Sequence, residues 1–94
     1  GGIRIGENVI MGQYISFHSE NHSFADKNKT IREQETISIG IVIGNNVWVG
    51  AKATFLDGSQ VGNNCVVVWG AVVKDIFPDN SLIGGVPAKL IKEI

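Results

Sequence analysis

Two histidines, His18 and His22, stand four residues apart in a polar and charged stretch, and the chain has no others. An imidazole changes protonation near neutral pH, which makes a positioned histidine suited to moving protons in catalysis. Four carboxylates share that stretch, Glu20, Asp26, Glu33 and Glu35, and any of them suits the task of orienting such a ring. Cys65 is the other reactive type. It takes the fifth place of a six-residue unit in which Ala53, Ser59 and Ala71 fall at the same place. That place selects small side chains, so the thiol reads as packing and not as a nucleophile.

The elements that must position these groups follow from a period of six. Ile37, Ile43, Val49, Phe55, Val61, Val67 and Val73 fall six apart, and glycine follows directly at Gly44, Gly50 and Gly62. The phrase also opens the chain, at Ile5-Gly6 and Met11-Gly12, with Phe17 six residues on. Helices repeat their apolar positions every three or four residues and ordinary strands every two. One large aliphatic in every six is instead the signature of a β-helix. Each unit supplies a short strand and a turn, three units close one triangular coil, and the aliphatic points inward. The fold class expected is therefore an all-β solenoid.

The repeat divides the chain. Residues 3–17 form about one coil. Residues 18–36 break the repeat and shift its register, because Phe17 to Ile37 spans twenty residues and not eighteen. A polar loop of this length inside a compact repeat is usually functional or disordered, and this one carries both histidines. Residues 37–78 hold about two and a third coils, and the chain reads one residue longer around Phe77-Pro78. The domain expected is thus a β-helix over 1–78 with an inserted loop at 18–36, followed by an extension over 79–94. In that extension Pro87 suits the first turn of a helix, so residues 88–94 are expected to form a short terminal helix that caps the prism. The chain begins in repeat register, at Gly1-Gly2-Ile3-Arg4-Ile5-Gly6, without a starting Met. We expect further N-terminal coils to belong to the protein, or a partner to cover that end.

Composition excludes several function classes. The 94 residues make at most one small domain, with stability accumulating coil by coil. Net charge is −1, from eight basic and nine acidic residues, with no long basic run of the kind that tracks nucleic acid. No apolar run approaches membrane-spanning length, and no signal peptide is visible. A single cysteine excludes an internal disulfide and fits a reducing, cytoplasmic compartment.

Five segments together carry a resemblance: Asn21-His22; Ile43-Gly44-Asn45-Asn46-Val47-Trp48-Val49-Gly50-Ala51; Val61-Gly62-Asn63-Asn64-Cys65-Val66; Gly70-Ala71-Val72-Val73-Lys74-Asp75-Ile76; and Gly85-Val86-Pro87-Ala88-Lys89. With these the chain resembles the hexapeptide-repeat acetyltransferases over nearly its whole length. Within them it is similar to the branch of maltose and galactoside O-acetyltransferases, xenobiotic acetyltransferases and polysaccharide O-acetyltransferases. The resemblance implies a left-handed parallel β-helix, a homotrimer with sites between subunits, and acetyl-coenzyme A as donor to a hydroxyl or amine. It implies direct transfer with a loop histidine as general base. His22, preceded by Asn21, matches that histidine, and His18 ranks second. Trp48 and Ala51 match positions lining the donor groove. Lys89 and Lys92 match basic positions near the coenzyme's phosphates, and Lys74 is a further contact. Val68-Trp69-Gly70-Ala71 departs from the family's glycine, alanine, glycine, serine, so Trp69 is bulky where the pantetheine arm is expected to pass.

No metal is expected. The metal-dependent carbonic anhydrases of the same fold use three histidines, and two in one loop do not supply that set. The function expected is acetyl transfer from acetyl-coenzyme A to a sugar or polysaccharide hydroxyl. The alternative is a truncated, inactive trimerisation or scaffold domain.

Overall fold

The computed structural model describes residues 1–94 and consists almost entirely of short strands. The first coil holds β1 (Ile3–Ile5), β2 (Ile10–Met11) and β3 (Ser16–His18). An arm follows, with β4 (Asn21–His22), a 3-10 turn at Ile31–Glu33 and β5 (Thr36–Ile37). The second coil is β6 (Ile41–Ile43), β7 (Trp48–Val49) and β8 (Thr54–Leu56); the third is β9 (Gln60–Val61), β10 (Val66–Val67) and β11 (Val72–Val73). β12 (Ile76–Phe77), β13 (Ser81–Gly85) and β14 (Ala88–Glu93) complete the chain.

Successive strands visit three sheets in turn. β1, β6, β9 and β12 make the first, β2, β7, β10 and β13 the second, and β3, β8 and β11 the third, all pairing in parallel. The inward residues therefore stack in columns. Ile5, Ile43, Val61 and Phe77 form one, Met11, Val49, Val67 and Ile83 a second, and Phe17, Phe55 and Val73 a third. The rings of Phe17 and Phe55 lie stacked, with centroids 5.2 Å apart and planes 12° from parallel. Apart from Ile5, which is exposed in the edge strand β1, these columns form the hydrophobic core and the partly buried residues packed on it.

One corner shows how six residues make a strand and a turn. Asn8, Asn46, Asn64 and Asn80 all adopt left-handed backbone, with φ between 56° and 60°. Asparagine enters that region more readily than most side chains. Beside them, Asn45 Oδ1 accepts from the Glu7 amide at 2.8 Å, Asn63 Oδ1 from the Asn45 amide at 2.7 Å, and Asp79 Oδ1 from the Asn63 amide at 2.7 Å. Each coil thus satisfies the turn amides of the coil beneath it.

The structure departs from expectation in four places. Residues 88–93 form a strand and not a helix: β14 returns antiparallel along β13. A helix of seven residues is marginal alone, whereas the open edge of β13 satisfies the backbone of β14 directly. Ile37 is not the first core residue; it pairs with Asn21 in the arm and is 45% exposed. The excursion runs past residue 36, because His18 still pairs with Leu56 and the coil resumes only at Ile41. Finally, the last coil is shorter and not longer: Val61 stacks on Phe77 and Val67 on Ile83, sixteen residues apart where the coil before used eighteen. The turn between β11 and β12 supplies the contraction, and β13 then continues the second sheet beyond residue 78.

Candidate functional site

The arm is a ribbon that widens at its tip. Asn21 pairs with Ile37 and His22 with Thr36, and the Ser23 amide donates to the Glu35 carbonyl at 2.9 Å. At the tip a capping box closes the 3-10 turn: Thr30 Oγ1 accepts from the Glu33 amide at 3.3 Å, and Glu33 Oε1 accepts from the Thr30 amide at 3.2 Å. The Thr30 hydroxyl also donates to Glu33 Oε1 at 2.7 Å, and these bonds hold the Glu33 carboxyl below its ordinary pKa. Gln34 Nε2 donates to the Asp26 carbonyl at 3.0 Å, while its Oε1 accepts from the Asp26 amide at 3.2 Å.

His22 thus sits on a defined strand, with an exposed side chain. His18 is exposed at the end of β3, where the arm departs. Two of the four candidate carboxylates are engaged at the tip, Glu33 with Thr30 and Asp26 with the Asn28 amide at 2.9 Å. Neither histidine joins an ion pair within the chain; both such pairs belong to Asp75.

The residues expected on the donor side fall into two groups. Trp48 and Trp69 line an apolar groove of about 130 Å³ with Gly50 and Val66 to Val68. Gly50 is required there, because a Cβ on it would lie 2.5 Å from the Trp69 amide nitrogen. Trp69 projects from the turn and is 77% exposed. Ala51 does not line this groove. It lies between coils, packed under Gly12, and its carbonyl accepts from the Gly70 amide at 2.9 Å. The lysines gather elsewhere: Lys74 Nζ lies 3.1 Å from Asp75 Oδ1, and Lys89 Nζ 3.9 Å from Asp75 Oδ2. A bulge between Leu82 and Ile83 sets Lys89 opposite Gly84 and Lys92 opposite Leu82, which puts both lysines on one face of the sheet.

Two features escape a reading by hexads. The outward positions of the second sheet form a ladder, Ile10, Trp48, Val66 and Leu82, each in register with the next. Ile10 and Trp48 are 68% and 59% exposed. The signal was present, since each residue immediately precedes an inward aliphatic. The other is Asp57, buried at a corner, whose carboxylate accepts from the backbone amides of Ile39 and Gly40. The Gly40 amide, and after it that of Ile39, hold its carboxyl below the ordinary value against the opposing effect of burial.

No group of three His, Cys, Asp or Glu side chains is placed to hold a metal ion. No helix is long and apolar enough to cross a membrane.

Comparison with known proteins gives a consistent picture. The family described as bacterial transferase hexapeptide (six repeats) matches residues 40–75. The Escherichia coli K12 protein WbbJ, assigned as a lipopolysaccharide biosynthesis O-acetyl transferase, is 46% identical over 98 residues, covering 97% of this chain and 50% of its own length. Among solved structures, a maltose O-acetyltransferase from Clostridium difficile 630 superposes with a TM-score of 0.88 at 29% identity, over 98% of this chain and 48% of that one. A galactoside acetyltransferase solved with coenzyme A gives 0.84 at 30% identity, over 97% of this chain and 44% of that one. The chain spans about half the length of these relatives.

Proposed function

The chain belongs to the hexapeptide-repeat acetyltransferases, and on that premise we propose that it transfers an acetyl group from acetyl-coenzyme A to a hydroxyl of a sugar or polysaccharide. The observation that most supports this reading is the match, over 97% of the chain, to a galactoside acetyltransferase that binds coenzyme A. His22 is the general base. An alcohol is a weak nucleophile at neutral pH, so the imidazole takes the hydroxyl proton as the oxygen attacks the thioester carbonyl. The tetrahedral intermediate collapses, the carbon–sulfur bond breaks, and the departing thiolate recovers that proton. No acetyl-enzyme forms and no metal takes part.

The Trp48–Trp69 groove receives the pantetheine arm, a thin chain whose methylene segments lie on the apolar lining while its two amides meet backbone groups. Ala51 acts from below, by fixing the turn that carries Trp69 through its bond to Gly70. Lys89, Lys92 and Lys74 meet the anionic nucleotide end, with Asp75 holding two of the three ammonium groups together. The coils wind left-handed. The ladder of Ile10, Trp48, Val66 and Leu82 packs against other copies in a homotrimer, which sets the arm beside a neighbouring subunit and leaves the site between chains in the cytoplasm.

The test is release of thiol from acetyl-coenzyme A in the presence of sugar acceptors, comparing wild type with His22→Ala. Activity that survives the substitution removes His22 as the base. A scaffold without catalysis is the second reading, favoured by the bulk of Trp69 in the lining of the groove. Failure of the intact protein to bind coenzyme A decides for it.

A further inference from the structure

We propose that Asp57 is a positioning residue for His22, fixing from within the coils the angle at which the arm presents its imidazole. The proposal rests on the acetyl-transfer reading for its catalytic meaning and on geometry for the rest.

Both legs of the arm are rooted in one short stretch, residues 56–58. The outgoing leg leaves from β3, whose last residue, His18, pairs with Leu56. The returning leg ends at Ile39 and Gly40, and there Asp57 takes hold. Its Oδ1 accepts from the Gly40 amide at 2.7 Å and its Oδ2 from the Ile39 amide at 2.8 Å. The Gly58 amide donates back to the Gly40 carbonyl at 2.8 Å. Gly40 adopts a φ of +115°, a conformation that other residues rarely take, so the chain bends sharply at the latched point.

The restraint passes outward in steps. Ser38 Oγ donates to the Ser19 carbonyl at 2.7 Å, tying the two legs together one residue beyond the latch. Ile37 then pairs with Asn21, and Thr36 with His22. The restraint from Asp57 thus reaches the histidine along the base of the ribbon, through polar bonds at Ile39, Gly40 and Ser38 and then through the paired strands that carry Asn21 and His22. Without it the arm has little to hold its direction, since no residue from 19 to 39 is buried.

The chemistry of a carboxylate suits this post. It presents two acceptor oxygens and no donor to two adjacent amides that would otherwise be left half-buried and unpaired. Asparagine has the same shape but only one acceptor, and its NH₂ group would confront an amide N–H. Asp57→Asn is therefore a precise probe that adds no cavity.

Two measurements test the proposal. Hydrogen exchange on the intact protein reads the latch: in Asp57→Asn the amides of residues 19–23 and 36–40 exchange faster, while those of residues 41–56 keep their wild-type protection. Steady-state acetyl transfer, measured well below the melting midpoint, reads its consequence: kcat falls by roughly 10- to 100-fold, the scale of a sub-ångström to ångström misplacement, while coenzyme A affinity stays at its wild-type value. Asp57→Ala, lacking both acceptors, shows the larger loss. Unchanged exchange in the arm overturns the latch. A fall in kcat that only tracks lost stability or lost coenzyme affinity overturns the positioning role. A wild-type chain that transfers no acetyl group refutes the acetyl-transfer reading and the catalytic role with it, and the exchange of residues 19–23 then decides the latch by itself.

Discussion

The coils and the arm hold their backbones by different means. In the coils, inward aliphatics repeat on every rung, and Ile43, Val49, Phe55, Val61, Val67 and Val73 are each almost wholly buried. Between residues 19 and 39 no residue is buried, and the shape comes from separate polar bonds: Ser38 to Ser19, Gln34 to Asp26, Thr30 with Glu33, and Asp57 at the root. Packing energy is shared among many contacts and forgives the loss of one. A polar tether gives a direction at a single point and is lost with one atom. The catalytic candidate lies in the region of tethers, so its placement is adjustable without cost to the fold.

That contrast breaks first at His22. His22→Ala lowers kcat by about 10²- to 10⁴-fold, the usual contribution of a general base, and leaves the melting curve in place; a large loss of stability would show that the arm carries part of the core. Phe55→Ala does the reverse. It empties a fully buried site stacked on Phe17 and costs about 3–5 kcal/mol by denaturant unfolding. Trp48→Ala removes an exposed side chain of the coils; coenzyme affinity by calorimetry falls roughly tenfold, about 1.4 kcal/mol, with little change in the core.

Acid separates the regions next. The folded-state pKa values of Asp57 and Glu33 are both depressed. Their contribution is therefore complete above the unfolded values of about 4 and is lost as pH falls through the folded ones. The arm loosens at acid pH while the aliphatic columns, which contain no carboxylate, stay protected from hydrogen exchange. Coils and arm opening together would erase the distinction. The smallest effect is expected of Ser38→Ala, about 0.5 kcal/mol for one exposed hydrogen bond, read as faster exchange at Asn21 and Ile37 alone.

The coils were legible because their determinant is local and repeated. One aliphatic in six, followed by glycine, states both the inward position and the close approach of the next coil. Asn21-His22 was legible as a departure from that pattern. What escaped depended on pairing across the chain. Ile37 kept the six-residue count by coincidence: the twenty residues from Phe17 show that the repeat breaks, but not where the coil resumes. Residues 88–94 have a composition that serves either helix or strand, and the open edge of β13 decided the matter. Asp57 carries no signal in the six-residue pattern. Its importance comes from Ile39 and Gly40, which the fold brings to it from 18 and 17 residues away.

A stack of parallel rungs has a further property at the end where β14 lies. Each rung presents a row of unpaired amides and carbonyls of the kind that recruits another strand, and identical chains laid end to end would extend the columns into a fibre. β14 runs the opposite way, breaks its own pairing with a bulge, and carries Lys89 and Lys92. A rung arriving in parallel meets reversed polarity, an irregular edge and positive charge. The C-terminal hairpin thereby guards the edge of the second sheet, the one of the three in which a strand reverses direction.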